Sequence, residues 1–131
     1  MIQLRQGTVA DLKAVQCILD QVPEAAQWVP DANEFFVADA GIAIAGFLVW
    51  RHTAPDEIEI LNLAVTHEFR RQGVAKALLA RLPKADVFLE VRAGNLAARG
   101  LYQAAGFGEV GVRPGYYQNP AEEAIVMRLQ S

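Results

Sequence analysis

Apolar and polar residues alternate from Ile2 to Arg5, as in a half-buried strand, and then the period changes. Leu12, Val15, Ile18 and Leu19 recur at helical spacing, and Thr8 followed three residues later by Asp11 has the form of a helix cap. A helix is therefore predicted over about Val9 to Gln21. Pro23, Pro30, Asp31 and Asn33 break the regularity, with one helical turn expected at Ala25 to Trp28. Glu34 to Ala38 and Ile42 to Thr53 read as a hairpin around Asp39-Ala40-Gly41, and a third strand runs from after Ala54-Pro55-Asp56 to Thr66.

A second helix is predicted from Gly73 to Leu82, where Pro83 stops it, followed by an apolar strand from Asp86 to Arg92. Because a helix crosses over between them, that strand returns parallel to the one ending at Val65. Asn95 caps a third helix that ends at Ala105 and Gly106. Gly100 in its middle costs about 1 kcal/mol relative to alanine, which reads as close packing or tolerance rather than a break. Phe107 to Val112 is a strand, Arg113 to Ala121 a long loop of turn formers, and Ala124 to Leu129 a last strand. The pattern is that of an α/β fold, a mixed and mostly antiparallel sheet flanked by helices. A crevice is expected at the carboxyl ends of the two parallel strands, where ligands of such sheets bind.

A length of 131 residues, 53% of them hydrophobic, gives one domain over 1–131 a real core and leaves too little for two. The net charge of −3 argues against a nucleic-acid surface and suits a cationic partner such as an amine or a basic polypeptide. Cys17, the single cysteine, excludes an internal disulfide and a cysteine-cluster metal site; it reads as a small packing residue on the first helix. No run approaches the ~20 apolar residues of a membrane helix, and no leader pattern opens the chain. A soluble protein of the reducing cytoplasm, with no metal and no membrane partner, is expected.

The stretch from Glu57 to Lys76 organises the chain. A strand, a polar turn and a helix in that order leave unpaired N–H groups facing outward, and Gly73 and Ala75 let anionic oxygens approach the main chain. Arg70, Arg71 and Lys76 add positive charge. The lysine and Ser/Thr of a P-loop are missing after Gly73, so a nucleoside triphosphatase is not indicated. A basic turn capping an ordinary helix is the plain alternative.

Arg70-Arg71-Gln72-Gly73-Val74-Ala75 resembles the acetyl-CoA pyrophosphate loop of the GCN5-related N-acetyltransferases. Asn62-Leu63-Ala64-Val65 before it, with Leu89 to Asn95 and Leu101-Tyr102 after it, narrows the resemblance to the RimI-like ribosomal-protein-alanine N-acetyltransferases, from about Glu57 to Met127. The resemblance implies a single-domain GNAT fold whose two splayed parallel strands form the acetyl-CoA cleft. It assigns the co-substrate to Arg70, Arg71, Gln72, Gly73, Val74, Ala75 and Lys76, to the backbone of Leu63, Ala64 and Val65, and to Asn95 and Tyr102. It implies acetylation of a polypeptide N-terminus, that of a small-subunit ribosomal protein. Another amine as acceptor, or a module that senses acetyl-CoA without turnover, are the alternatives.

Acetyl transfer to an amine needs a positioned thioester, a neutral amine and a proton for the departing thiolate. Glu90 stands in the apolar strand Val87 to Val91, where an unpaired carboxylate is costly. Residue by residue it could be a charge paired with Arg92 or Arg99; the resemblance makes it the general base. Tyr102, two helical turns after Asn95, is a core tyrosine by composition and the general acid by resemblance. Glu59 is a rival base on the face that Glu57, Leu61, Leu63 and Val65 share. Arg113 and Tyr116-Tyr117 echo residues that border the acceptor in the family, with an ordinary aromatic loop packed over the sheet as the equal alternative; Trp28 is a candidate for the same cleft, although core or lid packing is the simpler account of it. Trp50 and His52 read as packing and surface residues, since no second ligand is spaced with His52 for a metal.

Overall fold

A computed structural model describes residues 2–21, 34–118 and 120–130. The turn expected at Ala25 to Trp28, and with it the proposed place of Trp28, lies outside the described residues. The elements are β1 (Gln3–Gln6), α1 (Leu12–Gln21), β2 (Glu34–Asp39), β3 (Ile44–Ala54), β4 (Glu57–Val65), α2 (Val74–Leu79), β5 (Asp86–Arg92), α3 (Leu96–Ala104), β6 (Gly108–Tyr117) and β7 (Glu122–Leu129). Hydrogen bonding orders the strands β1-β2-β3-β4-β5-β7-β6. The pairs β1–β2, β2–β3, β5–β7 and β6–β7 are antiparallel, whereas Glu57, Ile58 and Glu59 of β4 pair in parallel with Asp86, Val87 and Phe88 of β5. This is the mixed sheet expected from the crossover helix.

Two compact units divide the chain: Met1–Arg51 with Ile60–Pro83, and His52–Glu59 with Lys84–Ser131. In the first, Val15, Ile18 and Leu19 of α1 pack on Phe35 and Val37 of β2, Phe47 and Val49 of β3, and Ala64 of β4. A ten-residue helix is marginal alone, so this buried face is what holds α1. Cys17 points the other way and is exposed, which corrects its reading as a packing residue: the inward positions belong to Val15, Ile18 and Leu19. The start of the predicted helix is a separate 3-10 turn, Val9–Asp11. Asp11 accepts from the Thr8 N–H at 2.8 Å and from both terminal nitrogens of Arg5 at 2.9 Å; Arg5 Nε also reaches Asp39 at 3.2 Å. The Arg5 guanidinium, helped by the Thr8 N–H, holds the buried Asp11 carboxyl below its ordinary value of 3.8.

The second helix is shorter than predicted. The Arg81 and Leu82 amides bond three residues back, to Leu78 and Leu79, so the chain tightens out of α geometry ahead of Pro83.

In the second unit, Leu89 pairs with Met127 and Val91 with Ile125, all four buried. Helix α3 begins and ends as its sequence signals: Asn95 Oδ1 accepts from the Ala98 N–H at 3.1 Å, and Gly106 follows at φ 103°. The segment after Val112 corrects the expectation of a long loop, because β6 continues to Tyr117. Arg113 pairs with Ala124 and Tyr117 with Glu122, and the register shifts between them. Pro114, which lacks an N–H, and Gly115, at φ 62°, fit a bulge on an outermost strand; the same residues imitate a loop in sequence.

At Gly100 an added Cβ meets nothing within 4 Å. Gly100→Ala is therefore expected to stabilise the protein by about 0.5–1 kcal/mol in denaturant titration, with an unchanged denaturant slope; a loss of stability would contradict the open space. Asp11 has the opposite sensitivity. Its folded value is lowered, so its contribution is full above pH ~4 and is lost as pH falls through the lowered value. Asp11→Asn should cost about 1–3 kcal/mol at neutral pH and flatten the acid limb of the stability profile.

Candidate active site

Strand β4 alternates strictly. Ile58, Ile60, Asn62 and Ala64 are buried, whereas Glu57, Glu59, Leu61, Leu63 and Val65 lie half-buried on the other face. In the second unit, Glu59 and Glu90 line one pocket of about 180 Å³, with Glu57, Phe88, Arg113 and Val126 among its walls. The two candidate bases thus face the same space. The Thr53 hydroxyl donates to Glu57 at 2.8 Å, which occupies that third carboxylate.

The Glu90 side chain is 17% exposed, and its Oε2 atom is buried without a hydrogen-bond partner among the described residues. Arg113 Nε lies 3.7 Å from that oxygen, an ion pair without hydrogen-bond geometry to a guanidinium that is itself largely exposed. The partners considered from sequence are engaged elsewhere: Arg92 with Glu122 at 3.3 Å and Arg99 with Glu109 at 2.7 Å. Glu90 is therefore not neutralised by its own strand or by α3. A carboxylate oxygen kept on a pocket wall in this way is available to a donor that enters.

Aromatic residues of β6 complete the surroundings of Glu90. Its negative charge, with burial adding, pushes the Tyr116 phenol up. Burial first and then Glu90 push Tyr117 up to about 12. The two rings meet edge to face at 5.0 Å, and the Arg113 guanidinium lies 5.3 Å from the centre of the Tyr116 ring. Sequence reasoning named Arg113, Tyr116 and Tyr117 while treating their segment as a loop; the extended strand is what aligns them. It did not find Thr53, Phe88 or Val126, which carry no signal beyond strand periodicity.

Tyr102 does not line that pocket. It is buried on α3 with its ring edge-on to Phe107 at 5.5 Å, and burial, with Tyr117 adding, raises its phenol well above the ordinary range. Such a phenol keeps its proton at neutral pH. Asn95 commits its Oδ1 to the α3 cap, so its amide NH₂ is the group it can offer a ligand.

The basic loop belongs to the first unit. Arg71 at φ 64° and Gly73 at φ 76° both take the left-handed region, and Gly73 immediately precedes α2 with open space where a Cβ would stand. Arg70, Arg71, Gln72 and Lys76 are exposed, whereas Val74 and Ala75 are buried. Arg70 Nε donates to the Val65 carbonyl at 3.2 Å and Gln72 to the Glu68 carbonyl at 3.3 Å, so two loop side chains brace the turn itself. Exposed cations around a bare main chain fit an anionic ligand. Among the described residues no group of three or more His, Cys, Asp or Glu is placed to hold a metal, and no helix is long and apolar enough to cross a membrane.

A family model described as the acetyltransferase (GNAT) domain matches residues 31–109. The chain belongs to the GNAT acetyltransferase family. Among its curated relatives, the [ribosomal protein bS18]-alanine N-acetyltransferase of Escherichia coli (strain K12) is 41% identical over 83 residues, 56% of this chain and 56% of its own length. The N-alpha-acetyltransferase RimI of Mycobacterium tuberculosis is 34% identical over 106 residues, 76% of this chain and 67% of its own length. The chain thus spans between about half and two thirds of the length of these curated relatives. The crystal structure of the Escherichia coli ribosomal-protein-S18-alanine N-acetyltransferase superposes with a TM-score of 0.82 at 29% identity, covering 98% of this chain and 93% of that one. At 19% identity, the crystal structure of Arabidopsis thaliana NAA60 in complex with acetyl-CoA shares the fold, with a TM-score of 0.81 over 98% of both chains.

Because the Glu90 charge raises both Tyr116 and Tyr117, Glu90→Gln should move two of the three phenol titrations to lower pH and leave that of Tyr102 in place. Alkaline ultraviolet difference absorbance reads this directly. An unchanged titration curve would separate Glu90 from the tyrosine pair.

Proposed function

We infer that residues 1–131 act as one acetyltransferase domain that moves an acetyl group from acetyl-CoA to the N-terminal α-amine of a polypeptide, the alanine terminus of a small-subunit ribosomal protein in the cytoplasm. The observation that carries this reading is the Glu90 carboxylate, held on a pocket wall beside Glu59, Arg113 and the Tyr116–Tyr117 pair with one oxygen unbonded. Family membership supports the acetyl donor, and the named relatives support the acceptor.

In this reading Arg70, Arg71 and Lys76 and the main chain of Gln72 to Ala75 hold the pyrophosphate of acetyl-CoA. The backbone of Leu63, Ala64 and Val65 and the Asn95 amide hold the pantetheine arm; Arg70 already occupies the Val65 carbonyl. The acceptor nitrogen attacks the thioester carbonyl carbon, Glu90 takes the nitrogen's proton directly or through water, and Tyr102 returns a proton to the departing thiolate. An α-amine with a pKa near 8 is about a tenth neutral at pH 7, against about 0.04% for a lysine side chain. One ordinary carboxylate therefore serves the α-amine. The shared pocket keeps Glu59 as the second reading of the base.

The test is fragmentation mass spectrometry of an alanine-starting peptide with an internal lysine, after incubation with the protein and acetyl-CoA. Acetyl on the α-nitrogen alone is expected; acetyl on lysine would move the acceptor to another amine class, and binding of acetyl-CoA with no acetylated amine would favour a sensor. Glu90→Gln should lower kcat about 10²–10⁴-fold while Glu59→Gln changes it far less, and the reverse order would make Glu59 the base.

A further inference from the structure

Arg92, at the last position of β5, makes more connections than its place at a strand end requires. Its Nη2 donates to the Gln118 carbonyl at 2.9 Å, and its Nη1 donates to the Pro120 carbonyl at 3.0 Å and to Glu122 Oε1 at 3.3 Å. Its guanidinium carbon also lies 4.5 Å from the centre of the Tyr117 ring. One side chain thus gathers two main-chain carbonyls of the β6–β7 connection, a carboxylate and an aromatic face. The planar fork of arginine suits this task; an ammonium would not span it.

Glu122 is the other half of the device. While Oε1 meets Arg92, Oε2 accepts from the Gly94 N–H, and a Cβ on Gly94 would stand 2.6 Å from that oxygen. Glycine at 94 is what admits the carboxylate to the main chain. Through it, β7 is tied to the turn just before Asn95, the α3 cap.

We propose that Arg92 and Glu122 are positioning residues for the acceptor, fixing the Tyr116–Tyr117 pair beside Glu90 by clamping the β6–β7 connection from the end of β5. This rests on the acetyl-transfer reading above. The chain of contact runs from Arg92 to the face of Tyr117, from Tyr117 edge-on to Tyr116, and from Tyr116 to the charge of Glu90. Pro114 and Gly115 interrupt the β6 ladder just before the pair, so the strand's own hydrogen bonds do not hold this stretch alone. The clamp supplies what the bulge removes.

The experiment compares full-chain wild type, Arg92→Met and Glu122→Gln by steady-state kinetics and by hydrogen exchange read by mass spectrometry. Arg92→Met keeps the apolar length of the side chain and removes every donor. It should raise KM for the acceptor peptide about tenfold or more, leave KM for acetyl-CoA near its wild-type value, and speed exchange over residues 113–122 while α1 is unchanged. Glu122→Gln keeps an oxygen for the Gly94 N–H but loses the charge that meets Arg92, so it should change the same quantities by less. An unchanged acceptor KM in both variants, or equal losses in both KM values and kcat with faster exchange throughout, would overturn the proposal. If the wild type acetylates no peptide, the functional reading fails by itself; the clamp is then judged on exchange, and unaltered protection over 113–122 in both variants overturns it.

Discussion

Three residue pairs decide where the chemistry of the second unit points. Glu57, Ile58 and Glu59 run parallel to Asp86, Val87 and Phe88, because a helix separates the two strands in the chain and returns them in the same direction. Period-two alternation does the rest. Glu57 and Glu59 take one face of β4, Phe88 and Glu90 take one face of β5, and all four line one pocket. A one-residue slip of this register would send Glu90 to the opposite face of the sheet and a neighbouring apolar residue into the pocket.

That pocket is electrostatically uneven. Three glutamates and one arginine face it, and the arginine is both the farther from hydrogen-bond geometry and the more exposed partner of Glu90. Exposed ion pairs contribute about 0–1 kcal/mol, so Arg113 does not silence Glu90. The carboxylate instead makes itself felt on Tyr116 and Tyr117, whose phenols it disfavours from ionising. Phenols that stay neutral can donate hydrogen bonds beside Glu90 without adding charge.

The basic loop of the first unit and the acidic pocket of the second follow different rules. The loop depends on backbone shape, with Arg71 and Gly73 in the left-handed region and Arg70 and Gln72 turned back to brace carbonyls of their own segment. The pocket depends on side-chain placement, and there β6 matters as much as β5. Val110, Val112 and Tyr116 of this outermost strand stay exposed, so its conformation owes more to pairing with β7 and to the Arg92 clamp than to burial.

Much of this was legible in the sequence. The limits of β5, the Asn95 cap and Gly106 stop of α3, the β2–β3 hairpin and the alternation of β4 all follow from local rules of periodicity, capping and turn chemistry, which need only near neighbours in the chain. The basic turn and Glu90 stood out as departures from an apolar pattern, and the roles expected of them came from the family resemblance. Three features were not. The truncation of α2 reflects a tightening of its last turn before Pro83, the exposure of Cys17 reflects which face of α1 the core selected, and the extension of β6 to Tyr117 required a partner strand able to accommodate a bulge at Pro114-Gly115. Above all, the partners of charged groups are a tertiary matter. Arg92 lies two residues from Glu90 and its side chain projects from the same face of the strand, yet it pairs with Glu122 thirty positions away, because it must also satisfy two carbonyls that only the folded connection brings within reach. Sequence determined which strands, helices and charges exist; the tertiary structure alone decided which charges were spent on each other and that Glu90, with Arg113 as its distant ion partner, faces a pocket.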